Sequence, residues 1–518
     1  MFAQLSGVIF PGTLRAQQTL QLVSFYYSAI GLVVAWASWR IWTFTVRPAL
    51  YPDEPKQLPY AIPFIGHVVG FMKDHNRVFD CGREYFGNTR EPFSLTIMGE
   101  TIYVVSSPRD IQTIYKKPKA ISFDPFIQQV LANHGATPAT IDKMFGSSLS
   151  ASGRKNLMDQ SHDDWKFQLQ PGEQLTILQT KFLNNIESYL QWDNLPPKAI
   201  LSSSESQATV SLWALCGETL LRAATRGFFG DRIFEIAPGI LDAIYAFDKD
   251  NWKLNYQYPY FAAKEMYDAK KKGVECIQAY FRTSERDKEE TSWIMRTLHT
   301  NFRSLDIPEW ECASLVWMIF WVSNSNAFKL CFWYIAHLVH DTTLLRAVKE
   351  ETNPAFTDDV ADMDYLLEKC PLLESIYEEI LRSLSEAIGA RTTVSDSVVG
   401  DKVMKAGTKV LMPYRQLHLD ADVFGSDART FNATRFMENK QLSKSTNFRP
   451  FGGGSTICPG RFIVRREAYL FVAVLLQRYE IALDGSQNLP RVNERVPTGG
   501  IRTPRMEDDL QIRLTRIR

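Results

Sequence analysis

The sequence has no excess of charge of either sign, since 58 basic and 58 acidic residues balance over 518 residues. It also contains no basic run with interleaved aromatic residues, and together these absences argue against a nucleic-acid partner.

The 7 cysteines are an odd number at wide spacings, without a Cys-x-x-Cys pair. This pattern argues against a disulfide framework and a structural zinc site. Reduced thiols facing the cytosol are the simplest interpretation.

One long uncharged run is present, at residues 20–39. A run of about 20 apolar residues matches the hydrocarbon thickness of a bilayer. Arg15 precedes it, Arg40 and Arg47 follow it, and three tryptophans gather at its C-terminal end. These features predict an uncleaved transmembrane anchor with a cytoplasmic C-terminal side. A cleaved signal peptide is the alternative, but the run is longer than an h-region and lacks an obvious cleavage site.

Prolines recur every few residues after this run, which predicts a stiff extended connector without helix over residues 40–66. No later shift in composition divides the chain. The predicted organisation is therefore a short N-terminal segment (1–19), an anchor (20–39), a proline-rich hinge (40–66) and one globular domain (67–518).

The globular domain is predicted to be mainly helical with some strand. Apolar periodicity and turn residues predict helices and hairpins in several segments. Residues 307–341 are predicted to form one long apolar helix, and this helix carries an unusual polar patch, Ser323 to Asn326, at its middle. The predicted elements are a hairpin at 93–107, helices at 307–341, 371–387 and 461–481, and a C-terminal hairpin at 499–517.

The stretch FRPFGGGSTICPGRF, residues 448–462, places a lone cysteine after a glycine-rich loop. Glycines let backbone N–H groups approach the sulfur of Cys458 closely. A helix that begins just after Cys458 adds a positive dipole end near a thiolate. The stretch contains an aromatic residue, a glycine, a cysteine and a second glycine in a defined spacing, at Phe451, Gly454, Cys458 and Gly460. Taken alone, the stretch is compatible with three roles for Cys458, namely a metal ligand, a nucleophile or a core residue.

A second pattern is Glu379 with Arg382, three residues apart on the 371–387 helix and so on one face. Such pairs are usually surface ion pairs of little energetic value. Arg435 follows in a turn-rich segment. In this order and spacing, the two patterns together resemble the cytochrome P-450 family of haem-thiolate enzymes over essentially the whole chain.

The resemblance implies a mainly α fold with small β-sheets, the cytochrome P-450 fold, behind a single transmembrane helix. The globular domain would then be the catalytic domain, and haem b its cofactor. Cys458 would be the axial ligand of the haem iron, with Phe451, Gly454 and Gly460 around it. Arg391 would pair with a haem propionate; its alternative is an arginine at a strand edge. The structural network would consist of Glu379, Arg382 and Arg435.

The chain departs from the family pattern in several places. Ala433 stands where proline is usual, Thr456 replaces a basic residue, and no clear Trp-x-x-x-Arg occurs early in the domain. In the long helix, Ser325 and Asn326 replace the usual acid and alcohol. We expect both to lie in the region that relays protons to oxygen, where they could orient a water. The alternative is a helix kink with buried water.

Similar Asn-bearing helices occur in the steroid 7α-hydroxylase and prostacyclin synthase branches. By resemblance, the pocket over the haem would also include Ser323, Asn324, residues 386–390 and residues 498–501. The loop 122–141 would cap it. These segments are apolar or small, which suits a lipophilic substrate.

Three functions follow as hypotheses. The first is a membrane-anchored monooxygenase at the cytoplasmic face of the endoplasmic reticulum, served by NADPH-cytochrome P-450 reductase and in part by cytochrome b5. Its substrate would be a terpenoid, steroid-like or alkaloid molecule of specialised, fungal-type biosynthesis. The second is a haem-thiolate isomerase that needs no reductase. The third is a non-catalytic haem- or ligand-binding protein.

Overall fold

A computed structural model describes residues 11–146, 155–494 and 496–517, which are mainly helical with small sheets. The first part of the predicted N-terminal segment, residues 1–10, lies outside the described residues. The α-helices in chain order are α1 Pro11–Ile41, α2 Arg47–Leu50, α3 Val68–Tyr85, α4 Pro108–Tyr115, α5 Asp124–His134, α6 Pro138–Phe145, α7 Leu157–Leu169, α8 Glu173–Tyr189, α9 Leu212–Phe229, α10 Ile233–Ile236, α11 Ile240–Asp250, α12 Trp252–Asn255, α13 Lys264–Phe281, α14 Trp293–Ser304, α15 Glu309–Asn324, α16 Ala327–His340, α17 Thr342–Thr352, α18 Met363–Glu368, α19 Pro371–Leu384, α20 Arg415–His418, α21 Ala421–Phe424, α22 Arg435–Glu438 and α23 Arg461–Arg478.

The strands form two larger sheets and two short hairpins. One sheet has the order β1-β2-β3-β12-β9-β4 and the other the order β13-β14-β6-β5. The strands are β1 Lys56–Gln57, β2 Phe93–Ile97, β3 Glu100–Val104, β4 Ile121–Ser122, β5 Ile200–Ser203, β6 Gln207–Ser211, β7 Phe356–Thr357, β8 Val360–Ala361, β9 Ile388–Thr393, β10 Ser397–Val399, β11 Lys402–Met404, β12 Lys409–Pro413, β13 Tyr479–Leu483 and β14 Gln511–Arg516.

The N-terminal helix is longer than the sequence predicted. It passes through a π-helical turn, Trp42–Val46, and continues in α2 to Leu50. The prediction that residues 40–66 exclude helix is therefore wrong for residues 40–50. Pro48 falls in the first turn of α2, where its missing N–H removes no helical hydrogen bond. Among the described residues, Leu22–Leu50 is the one helix long and apolar enough to cross a membrane.

The end of this helix is bonded to the hinge that follows it. Trp36 Nε1 donates to the carbonyl of Ala61 over 2.7 Å, and Arg40 donates to that of Tyr60 over 2.8 Å. The Trp39 and Tyr60 rings also pack together. The helix is thus connected to the globular part by side-chain contacts as well as by the chain.

The predicted long helix is present but broken at its polar patch, between α15 and α16. It is apolar on all sides because it crosses the core, where Trp317 and Trp333 are buried. Asn324 Nδ2 donates to the carbonyl of Phe320 over 2.6 Å. Bonds of this kind from polar side chains to the preceding turn compete with the helical ladder and favour a break.

The other predictions had mixed outcomes. The hairpin at 93–107 is confirmed as β2 and β3, and α19 and α23 end three residues before the predicted helix ends. The C-terminal hairpin is wrong, because β14 lies between β13 and β6. An alternating pattern of apolar and polar residues predicts a strand, but it does not identify the strand with which it pairs.

Candidate active site

The loop before α23 surrounds the sulfur of Cys458 with backbone donors. The N–H of Cys458 donates to the carbonyl of Phe451 over 3.0 Å, which closes the loop. The N–H groups of Gly460 and Arg461 donate to the sulfur. Burial raises the pKa of the Cys458 thiol, and these two donors oppose that rise. The Cys458 side chain is nevertheless accessible.

The glycines of the loop are required by an aromatic neighbour, Tyr115 at the end of α4. A Cβ on Gly453 or on Gly454 would lie 2.7 Å from the Tyr115 ring. Gly454 also has a φ of +66°, in the left-handed region that favours glycine. Tyr115 therefore fixes the course of the loop that presents Cys458.

We expect Gly454→Ala to weaken this loop. The substitution combines left-handed strain with the contact to Tyr115, and it should destabilise the protein by about 1–3 kcal/mol and lower haem retention. The measurement is Soret absorbance per protein, together with denaturant unfolding.

Gly407→Ala is the matched control, because Gly407 has a φ of +78° but nothing within 4 Å of an added Cβ. Its haem retention should match that of the wild type. Equal haem loss in both variants would contradict the role given to Tyr115.

A cavity of about 860 Å³ opens beside the cysteine loop. This volume is near the upper end of the roughly 300–1,000 Å³ typical of ligand sites. Residues 122–141 were predicted to be a loop, but they are mostly helical, in α5 and α6, and we call them the cap segment. Residues from the cap segment, α7, α15 and the cysteine loop line the cavity. Among the lining residues are Phe123, Ile127, Leu131, Met158, His162, Trp165, Leu315, Met318, Ile319, Arg391, Thr456, Ile457 and Pro459.

The cavity-facing stripe of the long helix continues toward its break. Leu315, Met318 and Ile319 line the cavity, and Val322 follows on the same helical face. Val322 is 55% exposed, although it lies in the middle of a buried helix. Val322 thus extends the apolar side of the helix toward its break.

Arg391 reaches the cysteine loop from β9, next to the same cavity. Its Nη2 donates to Thr456 Oγ1 over 2.5 Å, and its guanidinium lies over the Tyr115 and Phe123 rings. Burial lowers the pKa of Arg391. The structure thus brings Arg391 beside the position where the family usually has a basic residue. Its pairing with a propionate remains a prediction.

These features fit a haem group. The cavity lies beside a sulfur that has two N–H donors, and its lining residues include apolar side chains as well as cations for two carboxylates. Lys155, Lys166 and Arg461 line it in addition to Arg391. When bound, a haem with a thiolate ligand activates dioxygen by pushing electron density toward the iron. The residues of the chain would hold that group, shield the sulfur and exclude water.

The predicted network of Glu379, Arg382 and Arg435 is brought together in the core. Arg382 donates to both carboxylate oxygens of Glu379, over 2.7 and 2.6 Å, and Arg435 Nε lies 3.2 Å from Oε2. The Glu379 and Arg382 side chains are fully buried. Arg382 and Arg435 also bind backbone carbonyls of the segment between α20 and α22. The network therefore holds that segment against α19.

The distal residues are placed at the helix break. Ser325 Oγ approaches the carbonyl of Val322 at 3.4 Å, and Asn326 Nδ2 donates to Ser325 Oγ over 3.2 Å. Asn326 Oδ1 accepts from the N–H of Ile501 over 2.8 Å. The polar patch is thus engaged within the protein, and a relay through Ser325 and Asn326 remains a prediction.

Three residues of this site were missed by sequence reasoning. Tyr115 fixes the cysteine loop, while His162 and Trp165 on α7 line the cavity, and His162 is hydrogen-bonded to the backbone of Ser455. Trp165 lacks an arginine four residues later, so it does not complete a Trp-x-x-x-Arg pattern. No local signal marks Tyr115.

Glu467 on α23 is a buried carboxyl group, 6% exposed, and burial raises its pKa to about 8. Between the unfolded and folded pKa values, only the folded state holds the proton. Stability should therefore fall as the pH rises from about 5.5 to 7.5, by about 2 kcal/mol from this group.

We expect Glu467→Gln to remove that part of the pH dependence, measured by thermal unfolding across this range. Glu480→Gln, at a side chain that is 67% exposed, is the control. Parallel pH profiles for Glu467→Gln and the wild type would refute the assignment.

Comparison with known proteins agrees with this geometry. The family described as Cytochrome P450 matches residues 317–508. A cytochrome P450 monooxygenase, poxD, from Penicillium oxalicum is 25% identical, covering 86% of this chain and 90% of its own length. Another, nodJ, from Hypoxylon pulicicidum is 24% identical over 88% and 89%. Cholesterol 7-alpha-monooxygenase from Cricetulus griseus is 22% identical over 88% and 91%.

Among solved structures, the retinoic acid bound cyanobacterial CYP120A1 aligns with a TM-score of 0.65 at 16% identity. The alignment covers 90% of this chain and 100% of that one, and it shows the same fold. The family match, the relatives and the fold together define a haem enzyme. The chain belongs to the cytochrome P450 family, with haem as its cofactor.

Proposed function

We propose that the protein inserts one oxygen atom from dioxygen into a lipophilic small molecule. The observation that carries the proposal is the Cys458 sulfur, which accepts two backbone N–H bonds beside a cavity lined by apolar side chains of α5, α7 and α15 together with charged ones. The named relatives support this chemistry, since all three are monooxygenases. Terpenoid, steroid-like and alkaloid molecules all suit such walls.

NADPH is the proposed electron source, through a membrane-bound reductase, with cytochrome b5 as an additional donor. The helix at Leu22–Leu50 supports a position at the endoplasmic reticulum membrane, with the globular part on the cytoplasmic side. Arg40 and Arg47 near its C-terminal end favour this orientation.

The test begins with disruption of the gene in its host and mass spectrometry of the compound that accumulates and the compound that disappears. The lost product should carry one oxygen atom more than the accumulated precursor. The purified full chain should then convert that precursor only with reductase, NADPH and dioxygen. Conversion by a Cys458→Ser protein under the same conditions would contradict the proposal.

An isomerase that works on the same haem without a reductase is the second candidate. It is favoured by one observation, the replacement of the usual acid and alcohol by Ser325 and Asn326, whose side chains are already engaged. The same experiment distinguishes the two functions. A precursor and product of equal formula, with turnover in the absence of NADPH, would select the isomerase.

A further inference from the structure

A second cavity, of about 200 Å³, lies between the end of the Leu22–Leu50 helix and the first sheet. Its walls come from that helix end, from the hinge, from strands β2 and β3, and from the turn between β11 and β12. It is smaller than the roughly 300–1,000 Å³ of sites that enclose a drug-sized ligand, so it suits one small group.

Three cations and one carboxylate line this cavity, which gives it a net positive charge. The cations are Arg47, Lys56 and Lys405, and they come from the helix end, the hinge and the turn. The carboxylate is Glu54, 2.7 Å from Arg47. Each cation has an acidic neighbour, but an ammonium carries three donors and a guanidinium five. Donors for a further anion therefore remain.

Hydroxyl groups add donors without charge. Within residues 11–146, 155–494 and 496–517, the lining hydroxyls of Thr43, Tyr51 and Thr408 have no hydrogen-bond partner. Cations together with free hydroxyl groups fit an anion that has several acceptor oxygens, of which phosphate is the common biological example.

The walls of the cavity are bonded to one another. Lys402 Nζ donates to the carbonyl of Pro52 over 2.6 Å, and the N–H of Val403 donates to that of Asp53 over 2.7 Å. The N–H of Lys405 donates to the Tyr103 hydroxyl over 3.3 Å. The hinge, the turn and the sheet are thus fixed relative to each other before any ligand binds.

The place of the cavity along the helix matches the headgroup layer of a membrane. Trp42 stands at the end of the apolar run, where aromatic residues mark the edge of the hydrocarbon. Arg47 follows five residues later, about 7 Å further along the helix axis. The headgroup layer is about 5–8 Å deep on each side of a bilayer. Arg47 therefore reaches the depth at which lipid phosphates lie.

We propose that this cavity binds the phosphate of an anionic phospholipid headgroup, which bridges the helix end and the turn at Lys405. The acyl chains stay in the bilayer, because the cavity has room for the headgroup alone. Anionic lipids are abundant in cytoplasmic leaflets. The bridge would hold the globular part in one orientation over the membrane. This site rests on the proposed membrane position of the chain, but not on the reaction that the chain catalyses.

Calorimetric titration of the haem-loaded full chain, in non-ionic detergent, with dihexanoyl phosphatidylserine tests the site. Lys405→Gln should raise the Kd about fivefold, since it removes one charged donor. Lys409→Gln is the matched control: its side chain is 56% exposed, against 51% for Lys405, and it does not line the cavity. Its Kd should stay within about twofold of the wild-type value. Equal effects of the two substitutions would show general surface attraction and overturn the site.

Thr408→Val is a second variant that leaves the charge unchanged. Loss of its hydroxyl should raise the Kd about threefold. An unchanged Kd in both Thr408→Val and Lys405→Gln would overturn the proposal.

Hydrogen exchange tests the bridge itself. The Val403 amide joins the turn to the hinge, and with saturating dihexanoyl phosphatidylserine it should exchange about threefold more slowly in the wild type. The Lys405→Gln protein should lose most of this change at the same lipid concentration. Equal exchange with and without the lipid in the wild type would contradict the bridge.

Two further titrations identify the source of the phosphate. Dihexanoyl phosphatidylcholine has the same phosphate without net charge, and it should bind about fivefold more weakly. Inorganic phosphate that binds as tightly as the phosphatidylserine and displaces it would overturn the assignment to a lipid. Flotation with phosphatidylcholine vesicles checks the membrane position separately. A chain that floats but binds no phosphatidylserine would overturn this site alone, whereas a chain that binds the lipid but never inserts oxygen would reject only the proposed function.

Discussion

A Cys458→Ser protein is expected to lose the long-wavelength Soret band of the reduced carbon monoxide complex, and its turnover should fall to background. The sulfur is the donor that we propose for the iron, and the N–H groups of Gly460 and Arg461 stabilise its ionised form. A serine oxygen lacks the electron donation that the thiolate supplies. Absorbance spectroscopy of the purified full chain measures the change.

The control for this prediction is Cys81→Ser, because Cys81 is an exposed thiol on α3. Its spectrum and turnover should equal those of the wild type. An intact long-wavelength band in the Cys458→Ser protein would mean that another residue holds the iron.

Arg382→Ala is expected to destabilise the protein by about 3–5 kcal/mol, because it leaves the Glu379 carboxylate buried without its main partner. A loss of this size is a large part of the roughly 5–15 kcal/mol that stabilises a typical domain. Little haem-loaded protein should be recovered on expression. Arg382→Lys should recover only part of the stability, since an ammonium cannot reproduce the two parallel bonds.

The matched control is Arg282→Ala. Arg282 lies 2.6 Å from Glu309, but the side chains are 64% and 45% exposed. Such a pair contributes about 0.5 kcal/mol or less. Urea unfolding of the Arg382→Ala and Arg282→Ala proteins compares the two ion pairs directly. Similar losses of unfolding free energy would show that burial of the Glu379 carboxylate is unimportant.

The cysteine loop could be predicted because its chemistry is local. The glycines, Cys458 and the start of α23 lie within about a dozen residues, and close backbone approach to a sulfur requires that order. Glu379 and Arg382 were found for the same reason, as neighbours on one helical face. The break of the long helix was also indicated, by polar residues at its middle.

Long-range partners could not be predicted. Tyr115 packs on glycines more than 300 positions later in the chain, and aromatic residues at helix ends are too common to mark such a contact. Strand β14 alternates as predicted, yet its neighbours come from two distant segments. Asn326 was placed in the oxygen-relay region by resemblance, and that role stays a prediction. Its contact with the N–H of Ile501 depends on tertiary structure alone and has no local signal in the sequence.

The cap segment and the cysteine loop are bonded to different parts of the fold. The N–H of Thr137 donates to Glu311 over 2.8 Å, which holds the cap to α15, whereas the cysteine loop rests on Tyr115 and α23. Mutations at Ile127 or Leu131 can therefore reshape the pocket without disturbing the sulfur, whereas Phe123 is linked to the cysteine loop through Arg391. This separation makes the protein evolvable, because mutations in the cap segment can change which molecules the pocket accepts while the position of the sulfur stays constant.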